Sequence, residues 1–144
     1  MSDIHAIVQA GGAGQRISNV APGVPKPLLL VGGVPMIERL LRQLADAQIR
    51  RITVVLGPNG QSIRTCVLRH AESLPRAPEL DFFEEHTALG NAGALGEIDT
   101  GDRDVLLCFA DLVTDLDFTR LRTIHTQRGC NVTLTSHFEH HQLT

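Results

Sequence analysis

The chain has 144 residues, of which 42% are apolar, with five Phe, no Trp, no Tyr and a formal charge of −3. One domain is the natural reading, and a domain of this size buries about 68–70% of its unfolded surface, enough for a real core. The acidic balance excludes a general electrostatic footprint for DNA or RNA, and the scarcity of aromatics excludes a base-stacking platform for single strands.

Ile4 to Val8 is an apolar run broken only by His5 and stopped by Gly11-Gly12, which predicts a buried strand and then a loop. Residues 10–27 hold four Gly and three Pro and predict a long loop. Leu28 to Val34 reads as a hairpin-like kink around Gly32-Gly33, and Pro35 can start a helix. Ile37, Leu40, Leu41, Leu44 and Ala45 fall at helical spacing to about Ala47. Ile52 to Leu56 predicts a second strand. Asn59 can cap a helix to about His70, with Ile63, Val67 and Leu68 turned inward. Leu80 to Glu84 predicts a third, less apolar strand, and Asn91 to Gly96 a short helical start. Val105 to Phe109 predicts a fourth strand, Leu116 to Arg128 a helix and Val132 to Thr135 a fifth strand. Strand and helix alternate, so the expected class is α/β, a Rossmann-like, mostly parallel sheet flanked by helices in one domain over 1–144. The first and fourth strands are the most apolar. They are expected side by side in the sheet centre, because strands buried on both faces read as continuous apolar runs.

No apolar run approaches the roughly 18 residues of a membrane span. The N-terminus carries no cationic stretch followed by an apolar one, so no signal peptide is expected. Cys66, Cys108 and Cys130 are odd in number and form no CxxC, which reads as free thiols in a reducing compartment. A soluble cytoplasmic protein with no nucleic-acid or membrane partner is the expectation.

Gln9-Ala10-Gly11-Gly12-Ala13-Gly14-Gln15-Arg16 follows the first strand directly. Ligands of open parallel sheets bind beyond the carboxyl ends of strands. Glycines let backbone approach phosphate, and successive amides make an anion-binding concavity. Arg16 adds a fork of donors suited to phosphate oxygens. The dinucleotide fingerprint is excluded because Ile17 stands where its last Gly would be, and no P-loop motif occurs. A tight turn without a ligand is the competing reading. Lys26-Pro27 closes the loop from a stiffened segment containing Pro22 and Pro25, and Lys26 is the only lysine of the chain. A solvated surface lysine is its alternative. Asp111 follows the fourth strand, where one carboxylate can hold hydrated Mg²⁺ against phosphates. A cap or turn residue is the alternative, a role that Asp115 and Asp117 fit better. His137 and His141 are spaced i, i+4 in the tail, where a frayed terminus outweighs a metal cluster.

Ala10-Gly11-Gly12-Ala13-Gly14-Gln15-Arg16 with Lys26-Pro27-Leu28 resembles the signature of sugar-1-phosphate nucleotidyltransferases. So, in order, do Gly32 to Glu38, Leu89 to Leu95 and Ala110 to Leu116, spanning nearly the whole chain. The form Leu89-Gly90-Asn91-Ala92-Gly93-Ala94 looks most like the branch acting on mannose 1-phosphate and heptose 1-phosphate. The resemblance implies the nucleotide-diphospho-sugar transferase fold, lacking a C-terminal part that in the family supplies a second Mg²⁺ carboxylate and most of the sugar pocket. It implies transfer of a nucleoside monophosphate from a nucleoside triphosphate to a sugar 1-phosphate with release of pyrophosphate. It also implies roles for single residues. Gly11, Gly12 and Gly14 cradle the triphosphate and Arg16 clamps its outer phosphates. Lys26 neutralises charge near the α-phosphate or the sugar phosphate. Ala10, Gly90 and Asn91 line the base and ribose site, and Asp111 holds Mg²⁺. A homo-oligomer is compatible with all of this. A nucleotide-binding module without catalysis and an interaction domain with a purely structural glycine loop are the alternatives. Nucleotide binding separates the last from the others, and pyrophosphate release separates the first two.

Overall fold

The computed structural model describes residues 3–11, 22–87, 89–90 and 92–136. Its frame is a four-stranded, wholly parallel sheet of β1 (Ile4–Gln9), β4 (Arg51–Leu56), β5 (Glu79–Glu84) and β6 (Asp104–Phe109), in the order β5-β4-β1-β6. The short strands β2 (Leu30–Val31) and β3 (Val34–Pro35) make a separate antiparallel hairpin whose turn, Gly32-Gly33, sits in the left-handed region. The helices are α1 (Met36–Asp46), α2 (Gln61–Glu72) and α3 (Phe118–Arg128), with short 3-10 turns at Lys26–Leu28 and Gly93–Gly96. Among the described residues no helix is long and apolar enough to cross a membrane.

Alternation along the central strands divides the core in two. Ile4, Ala6, Val8 and Ala10 of β1 and its extension pack with Ile52, Val54 and Leu56 against Ile37, Leu40, Leu41 and Leu44 of α1 and Ile63 and Val67 of α2. Phe118 of α3 joins the same cluster. Ile7 and Val55 face the other way, onto Ala94 of the second 3-10 turn, with Leu95 and Ile98 beside it. Helical cover lies on one face, and the other is roofed mainly by residues 93–98.

β1 is central and pairs with β6 from Ile4↔Asp104 to Gln9↔Phe109, as expected. The fourth strand of the sequence, however, is an edge of the sheet rather than a strand buried on both faces. Val105 and Phe109 point to the thinly roofed face and are 43% and 41% exposed. Their apolar character does not report two-sided burial here. The expectation of a ligand crevice above two central strands is therefore not met, since among the described residues only β1 of the two is central.

Three local expectations are corrected. The cap of α2 is Gly60, not Asn59, and it makes no side-chain cap bond. A β-carbon at Gly60 would stand 2.7 Å from that of Leu56, so the tight strand-to-helix turn demands glycine. Leu68 is exposed, because the buried stripe runs through Ile63, Cys66, Val67, His70 and Ala71 and leaves the next position off the face. Residues 132–135 form no strand, and the Thr133 hydroxyl instead bonds Nδ1 of His125 at 2.8 Å. The last helix starts at Phe118, where the Asp117 carboxylate accepts the Arg120 amide at 2.9 Å, and it ends at left-handed Gly129.

Candidate functional site

Three strand ends continue their ladders by one bond each and so present the next residues at one level. The Ala10 amide donates to the Val55 carbonyl at 2.9 Å, the Ala110 amide to the Gln9 carbonyl at 2.9 Å, and the Glu85 amide to the Leu56 carbonyl at 2.8 Å. Gly11, Asp111 and Glu85 therefore stand together along the carboxyl edge of the sheet, where ligands of such sheets bind.

Lys26 reaches the same edge from the other side. Its 3-10 turn is closed by the Leu28 amide on the Pro25 carbonyl at 2.9 Å and anchored by buried Pro27. The two flanking prolines restrict the backbone, so the lysine is delivered on a fixed stem. Its ammonium donates to Oδ2 of Asp111 in a short ion pair, with the two side chains 38% and 36% exposed. Residues 85 apart in sequence thus meet in one half-open site.

Gly11 is wedged. A β-carbon on it would lie 3.1 Å from the Gly57 amide nitrogen and 3.0 Å from Oε2 of Glu85. The absence of a side chain lets the Glu85 carboxylate come up against the start of the glycine-rich loop. Its other oxygen, Oε1, is buried and has no hydrogen-bond partner among the described residues. A buried acceptor left unpaired is costly. Gly90 adopts a left-handed conformation (φ 78°), and its carbonyl accepts the Gln9 side-chain amide at 3.3 Å, tying that loop to the end of β1.

The structure thus gathers Ala10, Gly11, Gly90, Lys26 and Asp111 at one edge. Gly12, Gly14, Arg16, Asn91 and the histidine tail lie outside the described residues. Glu85 escaped sequence reasoning because it sits in the polar run Glu84-Glu85-His86. The signal available was its position just past a predicted strand, the same argument that singled out Asp111. Among the described residues, no three His, Cys, Asp or Glu side chains are grouped to hold a metal. Asp111 alone already holds a cation, the Lys26 ammonium. A single carboxylate of this kind fits hydrated Mg²⁺ when phosphates complete the shell.

Two titratable groups lie deeper in the fold. Burial lowers the pKa of His5, whose Nε2 meets the Thr53 hydroxyl at 2.8 Å between β1 and β4. Burial also lowers that of His70, outweighing the Glu38 carboxylate 3.5 Å away.

Residues 6–143 match the family described as the MobA-like NTP transferase domain. A protein of Sulfolobus acidocaldarius assigned as a mannose-1-phosphate guanyltransferase is 32% identical over 92% of the chain and 37% of its own length. The 2-aminoethylphosphonate cytidylyltransferase of Lancefieldella rimae is 30% identical over 76% of the chain and 43% of its own length. The crystal structure of HddC from Yersinia pseudotuberculosis complexed with GMP-PN superposes with a TM-score of 0.65, at 27% identity, over 87% of the chain and 54% of that protein. The chain therefore spans between about a third and about half of the length of these relatives.

Proposed function

The chain belongs to the family of MobA-like NTP transferase domains, and from that premise we propose that it carries the nucleotide-binding half of a nucleotidyltransferase. The reaction is attack of a sugar 1-phosphate oxygen on the α-phosphorus of a nucleoside triphosphate. The new P–O bond forms as the bond to the bridging oxygen breaks, and pyrophosphate leaves. The observation that supports this most is the convergence of Gly11, Lys26 and Asp111 at the carboxyl edge of the sheet. Such a transfer asks mainly for positioning and charge neutralisation. Gly11, Gly12 and Gly14 would cradle phosphates with backbone amides, Arg16 would grip the outer ones, and Lys26 would neutralise charge near the α-phosphate or the incoming sugar phosphate. Asp111 would hold Mg²⁺. When bound, that ion supplies charge neutralisation on the triphosphate and the leaving pyrophosphate. Ala10, Gly90 and Asn91 would line the base and ribose.

Glu85 adds a base preference. An ionised carboxylate only accepts hydrogen bonds, through two oxygens. Among the bases, guanine offers two adjacent donors on its pairing edge, the ring N–H and the exocyclic amino group. Oε2 of Glu85 lies against Gly11 and its Oε1 is buried with no partner among the described residues, which favours that edge. The sugar is assigned by class, as mannose 1-phosphate or a related sugar, on the likeness to the Sulfolobus protein. The three free cysteines suit a cytoplasmic setting. The share of its relatives that the chain spans favours a second reading for residues 1–144 alone, nucleotide binding with little turnover.

Calorimetric titration with GTP, CTP, UTP and ATP in Mg²⁺ tests the reading. GTP is expected to bind most tightly, and Glu85→Gln to weaken it about tenfold, the equivalent of about 1.4 kcal/mol. Pyrophosphate release with mannose 1-phosphate is expected near background for residues 1–144. Absence of binding by every triphosphate overturns the function. Equal binding of all four overturns the base assignment alone.

A further inference from the structure

We propose that Lys26 is a resident cation on Asp111, so that a divalent ion joins this chain together with the nucleotide and not before it. The inference rests on the function proposed above. Among the described residues the Lys26 ammonium is the one ionic partner of the Asp111 carboxylate, and both side chains are only partly covered. The ammonium sits on Oδ2, and a metal ion on the same carboxylate would stand about 4 Å from it, where like charges repel.

The backbone under Lys26 is fixed. Pro25 and Pro27 flank it, Pro27 is buried, and the turn closes through the Pro25 carbonyl. What can change is the four-carbon side chain, a flexible stem carrying a compact charge. In the free chain an incoming Mg²⁺ meets one carboxylate that is already neutralised, and it surrenders its waters reluctantly. A triphosphate changes both sides of that competition. Its oxygens give the ammonium other acceptors within reach, and they supply the ligands the metal lacks. The carboxylate thus stays neutralised throughout, first by Lys26, then by the metal. Nucleotide and metal must in consequence favour each other's binding by the same factor, as linkage requires.

The test measures Mn²⁺ binding by the loss of the free-ion electron paramagnetic resonance signal, with and without GTP, each read against the same Mn²⁺ and GTP mixture lacking protein. Circular dichroism melting accompanies each variant. The unmutated chain is expected to bind Mn²⁺ weakly alone and tightly with GTP. Lys26→Met is expected to tighten Mn²⁺ binding to the nucleotide-free chain about threefold or more, because removing a like charge about 4 Å away matters even near a surface. It is also expected to narrow the gain that GTP brings. Lys26→Gln should behave as Lys26→Met and stands in for it if that variant melts early. Lys26→Arg keeps the charge and should leave free-chain Mn²⁺ binding weak. Adding Asp111→Asn to Lys26→Met should abolish the gain, which assigns the ion to that carboxylate. If both neutral variants bind Mn²⁺ no more tightly than the unmutated chain, while GTP still recruits Mn²⁺ to the latter, the inference fails and the proposed function stands. If none of GTP, CTP, UTP and ATP recruits Mn²⁺ to the unmutated chain, both fail.

Discussion

Gly57 and Gly11 touch backbone to backbone across the ends of β4 and β1. A β-carbon on Gly57 would lie 2.8 Å from the Gly11 carbonyl oxygen, a distance that forces one of the two strand ends to move. Gly57→Ala is therefore expected to push the first residue of the glycine-rich loop off its seat and to weaken GTP binding about tenfold, or about 1.4 kcal/mol. Gly33→Ala is the matching control. Gly33 has a positive φ of 80° but open space around it, so alanine there costs about 1–2 kcal/mol of backbone strain and leaves GTP affinity alone. Calorimetry and urea unfolding on the two variants separate the cases, and equal GTP affinity in both would show that the Gly11–Gly57 contact does not shape the site.

The buried His5–Thr53 bond yields a stability prediction. The other ring nitrogen of His5, Nδ1, is buried without a partner, so the Thr53 hydroxyl is the bond that this ring retains among the described residues. Thr53→Val is expected to lower the unfolding free energy by about 1–3 kcal/mol, the cost of stranding a buried polar group. Thr53→Ser keeps the hydroxyl and should cost clearly less. Urea denaturation midpoints compare them, and indistinguishable midpoints would mean the bond carries no net stability.

Acid should loosen the fold in a defined window. His5 and His70 both have pKa values lowered by burial from the ordinary 6.5. Between the lowered folded value and 6.5, the unfolded chain binds more protons than the folded one, so stability rises with pH there. Their contribution is complete above about pH 6.5 and is lost as pH falls below it. Melting temperatures taken from pH 7.5 to 5.5 are expected to drop on the acid side, with a shallower slope in His70→Gln. A flat profile across that range would contradict the burial of both rings.

Thiol chemistry offers a direct reading of the same core. Burial pushes the Cys108 thiol up to about 12, and burial with the Glu38 carboxylate alongside pushes Cys66 up to about 11, whereas Cys130 is exposed. Thiolate is the reactive form. Near pH 8, Ellman's reagent is expected to modify only Cys130 rapidly in the native chain, and all three cysteines once urea is added. Fast reaction of a second thiol in Cys130→Ser would place Cys66 or Cys108 in a more open environment than the fold gives it.

Much of this fold is written in local patterns. The apolar runs of β1 and β4 and the helical stripe of α1 lead directly to the central layers, because each is decided by which face of one element meets the core. Asp111 and Lys26 were legible as strand-end and loop-end residues, yet their pairing depends on packing between segments 85 residues apart. Glu85 needed Gly11 and Gly57 beside it before its carboxylate meant anything. The residues around Val132 and Leu134 alternate like a strand, but alternation supplies no neighbouring edge, and the Thr133 hydroxyl turned to His125 instead. Apolarity in β6 revealed a strand and not its neighbours.

The pairing of β6 with β1 has a kinetic meaning. β1, α1, β4, α2 and β5 follow one another in the chain, so their contacts close short loops. β6 must return to β1 across about a hundred residues, as the Arg103–Asp3 ion pair beside it records. Long loops close late in folding, because the entropy of closing them must be met before their contacts reward it. As an edge strand, β6 is also the one of the pair that local opening can release while β1 stays held by β4. Asp111 sits on that strand's end and Gly11 on the partner that remains. Amide exchange in β6 should therefore be faster than in its partner β1. The chain would then acquire its nucleotide grip only at the last step of folding, and lose it first, well before the helices melt.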